Sequence, residues 1–73
     1  MWFETTYRCP RCGSPLVYIE RRGSAALRCP ACGVRVWTDA RTAARFASGG
    51  RLEWQRFMEL LYAAYAYRLA MKA

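Results

Sequence analysis

Cys9-Pro10-Arg11-Cys12-Gly13 and Cys29-Pro30-Ala31-Cys32-Gly33 decide the fold of this chain: one five-residue frame written twice, with sixteen residues between the inner cysteines. The spacing reads C-x2-C-x16-C-x2-C, within the window for four thiolates converging on one tetrahedral metal ion. Each frame closes as a tight knuckle whose two sulfurs point the same way. Gly13 and Gly33 supply the backbone freedom that the turn needs. Backbone N–H groups in such turns face the sulfurs and help carry their charge.

Four thiolates accept zinc or iron, so the ligand set alone leaves both open. The C-P-x-C-G knuckles resemble those of zinc ribbons and equally those of rubredoxin-type iron sites. Rubredoxins are typically acidic, with a longer stretch between knuckles, whereas this chain carries a net charge of +7. One structural zinc ion held by Cys9, Cys12, Cys29 and Cys32 is therefore the expectation, with iron second. Disulfides are the third alternative. The opening Met1-Trp2-Phe3-Glu4 has neither the basic start nor the apolar stretch of a secretory signal, so a reducing, cytoplasmic setting is expected.

At 73 residues the chain is one small domain that core burial alone holds weakly. A structural zinc site contributes on the order of 10 kcal/mol to folding in such small units. One dication on four thiolates lowers the +7 charge by two and leaves the chain basic. An acidic partner is expected, nucleic acid first. Eleven of the twelve cations are arginine, the better bidentate phosphate ligand, although a GC-rich or thermophile genome also produces that bias.

Outward from the knuckles, residues 1–8 form an aromatic, extended lead-in. Leu16-Val17-Tyr18-Ile19-Glu20 is β-prone, Arg21-Arg22-Gly23-Ser24 a turn, and Ala25-Ala26-Leu27-Arg28 a return strand. Val34-Arg35-Val36-Trp37-Thr38 alternates as a third strand. A short antiparallel sheet with a knuckle at each metal-binding corner resembles a zinc ribbon over residues 7–38. That resemblance implies a fold rather than a function.

The pattern then becomes helical. Residues 1–38 are read as the ribbon and 39–73 as a helical extension. Asp39 caps a short helix over 39–48, Ser48-Gly49-Gly50 ends it, and residues 51–72 run without proline or glycine as a helix of about 33 Å. The fold class is a small α+β metal-stapled domain. Trp54, Phe57, Met58, Leu61, Tyr62, Tyr65 and Leu69 recur at helical steps. Part of that stripe packs on the ribbon. Residues 60–67 are uncharged nearly all round, too short a run for a membrane span. A protein partner or a second copy of the chain is expected on the long helix.

Residues 1–50 carry eight arginines against three carboxylates, and residues 51–73 four cations against two, so positive charge concentrates on the ribbon half. Arg8, Arg11, Arg21, Arg22, Arg28, Arg35, Arg41 and Arg45 are the candidate phosphate contacts. Tyr7, Tyr18 and Trp37 are candidates for base stacking, although the small core is the expected place for Trp37 on an alternating strand. No catalytic constellation is apparent: the chain has no histidine, its four cysteines are committed to metal, and its carboxylates are scattered. Small size, arginine-rich charge and a four-cysteine ribbon resemble the small zinc-ribbon ribosomal proteins. A ribosomal or ribosome-associated RNA-binding module is thus expected. A DNA-binding transcription regulator dimerising through the long helix is the alternative, and a rubredoxin-like electron carrier the third.

Overall fold

The computed structural model describes residues 1–71. Four strands, β1 (Trp2–Arg8), β2 (Pro15–Arg21), β3 (Ser24–Arg28) and β4 (Arg35–Asp39), form one antiparallel sheet in the order β1-β2-β3-β4. Two helices follow, α1 (Ala40–Ser48) and α2 (Arg51–Met71). This is the α+β, metal-stapled ribbon with a short and a long helix that the cysteine frames and helical tail predict. Lys72, placed in the long helix from sequence, and Ala73 lie outside the described residues.

The sheet is one strand larger than the sequence reading had it. The lead-in pairs along β2, with Trp2 opposite Ile19, Phe3 opposite Tyr18 and Glu4 opposite Val17. Its residues alternate with period two: Phe3, Thr5 and Tyr7 are half-buried while Trp2, Glu4, Thr6 and Arg8 are exposed. That alternation is the signature of a half-buried strand. At the β2–β3 hairpin, Arg22 and Gly23 both take positive φ (42° and 82°), as a two-residue turn of the type that matches strand twist requires.

One face of the sheet is covered and the other is open. Leu16, Tyr18, Ala25, Leu27 and Val36 face the helices and meet Ala43 of α1 and Phe57, Met58, Leu61, Tyr65 and Leu69 of α2, all buried in one core. Tyr18 lies at its centre, edge-on to Trp54 at 5.5 Å and tilted against Phe3 at 5.1 Å. Each buried Leu, Val, Phe or Met among them contributes about 1.5–3 kcal/mol of transfer free energy. Asp39 caps α1 by accepting from the Thr42 N–H at 2.7 Å, and the Gly50 carbonyl accepts from Trp54 N to open α2.

This packing corrects the reading of the long helix as a partner surface. Phe57, Met58, Leu61, Tyr65 and Leu69 are buried against the chain's own sheet, and Trp54 and Tyr62 are half-buried against the same core. The physical reason is area: β3, β4 and α1 take most of the stripe, with Phe57 stacked on Phe46, and β1 adds a place for Tyr62 against Tyr7. Exposed apolar groups on α2 are instead Leu52, Leu60, Tyr67 and Met71.

Candidate functional site: a metal centre and an open sheet face

The two knuckles repeat one hydrogen-bond pattern. Gly13 N donates to Cys9 O at 2.8 Å and Gly33 N to Cys29 O at 2.9 Å. Cys9 N donates to Ser14 O, and Cys29 N to Val34 O, closing each turn from the other side. Gly13 and Gly33 sit at φ of 77° and 75°, a conformation costly for residues with a Cβ. Both turns aim their sulfurs at a common point.

The four Sγ atoms lie within 4.8 Å of one another, with Cys9 to Cys32 at 3.7 Å and Cys12 to Cys29 at 3.4 Å. Zinc–sulfur bonds of about 2.3 Å in a tetrahedron require sulfurs about 3.8 Å apart, so the donor set fits a zinc ion. The electrostatics call for a cation among the sulfurs. Hydrogen bonding from Ser14 draws the Cys12 thiol down to about 6, while the hydrogen bond to Cys12 and the loss of solvation push Cys32 up to about 12. Thiols this close cannot all ionise unless a metal balances them.

The shell around the sulfurs is uneven. Cys9 and Cys29 are buried, Cys32 is half-buried and Cys12 is exposed. Cys29 Sγ accepts from the Cys32 backbone N–H at 3.3 Å. The buried contact at Cys9 comes from far along the chain: the Tyr65 hydroxyl lies 3.2 Å from its sulfur. Burial opposes ionisation of Cys9, yet the Tyr65 hydrogen bond and the knuckle amides outweigh it and hold the thiol below its ordinary value. Burial, then the bond to Cys9, raises the Tyr65 phenol, so its proton stays on oxygen and is donated to sulfur. Sequence periodicity alone marked Tyr65 as part of an apolar stripe and gave no sign of this contact.

The open face of the sheet carries its own constellation. The register sets Trp2, Ile19, Ala26 and Trp37 in one row across all four strands, and Glu4, Val17, Arg28 and Arg35 in the next. A depression of about 440 Å³ opens between Ile19 and Trp37, ringed by Arg21, Arg22, Arg28 and Arg35. A second hollow, lined by Trp2 and Val17, continues it through the shared Ile19, Arg21 and Arg28. The Arg35 guanidinium rests over the Trp37 indole, 5.1 Å from the ring centroid.

Four of the eight candidate arginines are thus brought together, and four are not. Arg8 reaches the first knuckle, donating to Gly13 O at 2.9 Å. Arg11 lines a separate hollow beside Pro10, Ala66, Leu69 and Ala70. Arg41 and Arg45 are exposed on α1, outside the depression. The aromatic assignments need correction. Trp37 is not core but 56% exposed, because strand alternation turns it to the face that no helix covers. Tyr18 is fully buried and Tyr7 half-buried against Tyr62, ring centroids 5.0 Å apart, so neither offers a free ring. Trp2, 70% exposed, is the aromatic that the sequence reading missed. The period-two pattern around it was the available signal.

Comparison with known proteins agrees with this geometry. Residues 8–33 match the model of a zinc-ribbon family described as "Transcription factor zinc-finger". The match spans both knuckles and the β2–β3 hairpin, about a third of the chain, and leaves β4 and both helices outside it. No curated protein and no solved structure gives a significant match. The segment is a zinc ribbon, and its four cysteines hold one structural zinc ion. Among the described residues no helix is long and apolar enough to cross a membrane.

Proposed function

We propose that the chain is a non-catalytic binding module of a nucleic-acid-containing assembly, holding RNA through the open face of its sheet. A ribosomal or ribosome-associated protein is the reading that small size and basic charge favour. The observation that carries it is the convergence of Arg21, Arg22, Arg28 and Arg35 around one depression on a face left uncovered by the helices. Arginine forks suit phosphate oxygens, and such contacts supply affinity without reading sequence. RNA is favoured over duplex DNA on shape. The DNA major groove, about 12 Å wide, admits a helix or a two-stranded ribbon, not the broad face of a four-stranded sheet. A transcription-factor role on DNA is the second reading, supported by the description of the matched family.

Salt-dependent binding tests the proposal. On single-stranded RNA each phosphate contact adds about 0.7 to the slope of log K against log salt. Arg28→Ala with Arg35→Ala is expected to weaken binding and reduce that slope by about 1.4, and Arg21→Ala with Arg22→Ala to do the same. Arg41→Ala with Arg45→Ala serves as the control and leaves the slope where it was. An unchanged slope in both test pairs removes the sheet face from the interface. Tighter binding to a DNA duplex than to RNA moves the assignment to the second reading.

A further inference from the structure

The row Trp2–Ile19–Ala26–Trp37 crosses the sheet perpendicular to its strands, with a large exposed ring at each end. The two rings and the Ile19 between them make one apolar strip rimmed by charge on an uncovered face, the character of an interaction site. The centre of the row is low: Ala26 has no side chain beyond its Cβ and is itself covered by its neighbours, and the half-buried Ile19 forms the floor of both hollows. A flat ligand lies across the strands once the Arg35 guanidinium moves off the Trp37 ring. Arginines border this strip on both sides, Arg28 and Arg35 toward the knuckles and Arg21 and Arg22 at the hairpin tip. Glu4, at the β1 end of the knuckle-side row, repels phosphate and pushes a polyanion toward Arg28 and Arg35.

We infer that this face takes an unpaired nucleic-acid strand, its bases stacked on Trp2 and Trp37 and its backbone held by the flanking arginines. The inference rests on the reading of the open face as the nucleic-acid surface, and it names the form of nucleic acid. Three strand spacings of about 4.8 Å set the two tryptophan positions about 14 Å apart. That is about four times the 3.4 Å rise of a stacked strand, so the rings take bases that are not neighbours. A base arriving at Trp37 takes the place of the Arg35 guanidinium, which is then released to phosphate. Paired bases hide their faces in the helical stack, so a duplex offers these rings nothing except at its ends. Stacking of this kind tolerates any base, because every base has a π face.

The test uses the full-length, zinc-loaded chain and fluorescein-labelled RNA and DNA single strands about ten nucleotides long, within the site sizes of stacking platforms. A strand of equal charge with abasic positions and a matching duplex accompany them. Trp37→Ala and Trp2→Ala are each expected to weaken single-strand binding about tenfold, with the salt slope unchanged. Trp37→Phe keeps most of the affinity, since a phenyl ring still stacks. The abasic strand and the duplex bind more weakly than the intact single strand. Zinc content and circular dichroism of the variants stay at the parent values, because both side chains are exposed. If the tryptophan variants or the abasic strand bind like their parents, stacking is overturned while the arginine reading stands. A duplex that binds better than the single strand overturns it in the same way. If the parent chain binds none of these probes, both readings fall together.

Discussion

Replacing Tyr65 by phenylalanine removes one oxygen and leaves the buried ring in place. The lost group is the hydroxyl 3.2 Å from Cys9 Sγ, at a side chain with no exposed surface. No water replaces that donor at a buried sulfur. A hydrogen bond to a charged acceptor contributes about 1.5–3 kcal/mol. Loss of a partner to a metal ligand typically costs 10- to 100-fold in metal affinity, which is about 1.4–2.8 kcal/mol. The two routes agree, and Tyr65→Phe is expected to lower zinc affinity about 30-fold. Competition against a chromophoric chelator near neutral pH measures it directly. Tyr62→Phe is the matched control, because that hydroxyl donates to the Arg8 carbonyl at 3.0 Å in an exposed bond and touches no sulfur. Its zinc affinity is expected to change less than threefold. Equal zinc affinity in Tyr65→Phe and the parent would refute the claim that α2 supports the metal centre.

Three other perturbations have equally definite outcomes. Cys29→Ser, or removal of zinc by a strong chelator, withdraws an interaction on the order of 10 kcal/mol, and loss of the sheet signal in circular dichroism is expected; a cooperative melt retained without metal would contradict it. Leu61→Ala opens a cavity beneath α2 and costs about 2–5 kcal/mol, whereas Leu60→Ala, at a side chain 58% exposed, stays within about 0.5 kcal/mol in denaturant unfolding. Equal effects at the two positions would mean that the helix docks by a different face. Acid should release the metal: the Cys12 thiol sits at about 6, below its ordinary value, so its contribution is complete above the unfolded pKa and lost as pH falls through 6. Zinc strengthens that sign by requiring four thiolates. Zinc retained at pH 7.5 and freed toward pH 5 is the expected titration, and release on raising the pH would invert the argument.

The metal centre was legible because C-x-x-C geometry is local: five residues and a glycine of positive φ suffice to aim two sulfurs. The hairpin at Arg22-Gly23 and the Asp39 cap were legible for the same reason. The fate of the α2 stripe was not, since periodicity says that Phe57, Leu61 and Tyr65 share a face but not which surface covers it. That surface comes from β2, β3, β4 and α1, with residues 1–8 extending it, and strand pairing is a non-local event that a short alternating segment announces weakly. Trp37 shows the same limit from the other side. Alternation established that it opposes Val36 across the strand, but which face the helices would cover depended on a chain segment further on. The arginines were legible as charge; only the register gathers four of them and leaves Arg41 and Arg45 elsewhere.

The strand order β1-β2-β3-β4 pairs each strand only with its neighbour in the chain. Meanders of this kind close short loops, so little entropy is lost before each new pairing is rewarded, and such local topologies form quickly. The long closures belong to α2, whose Tyr62 and Tyr65 hydroxyls join residues 54 and 56 positions away. During synthesis both knuckles and the whole sheet leave the ribosome before those tyrosines do. Cys9 therefore stays uncovered until α2 docks, and the helix closes the metal centre as a bolt closes a door.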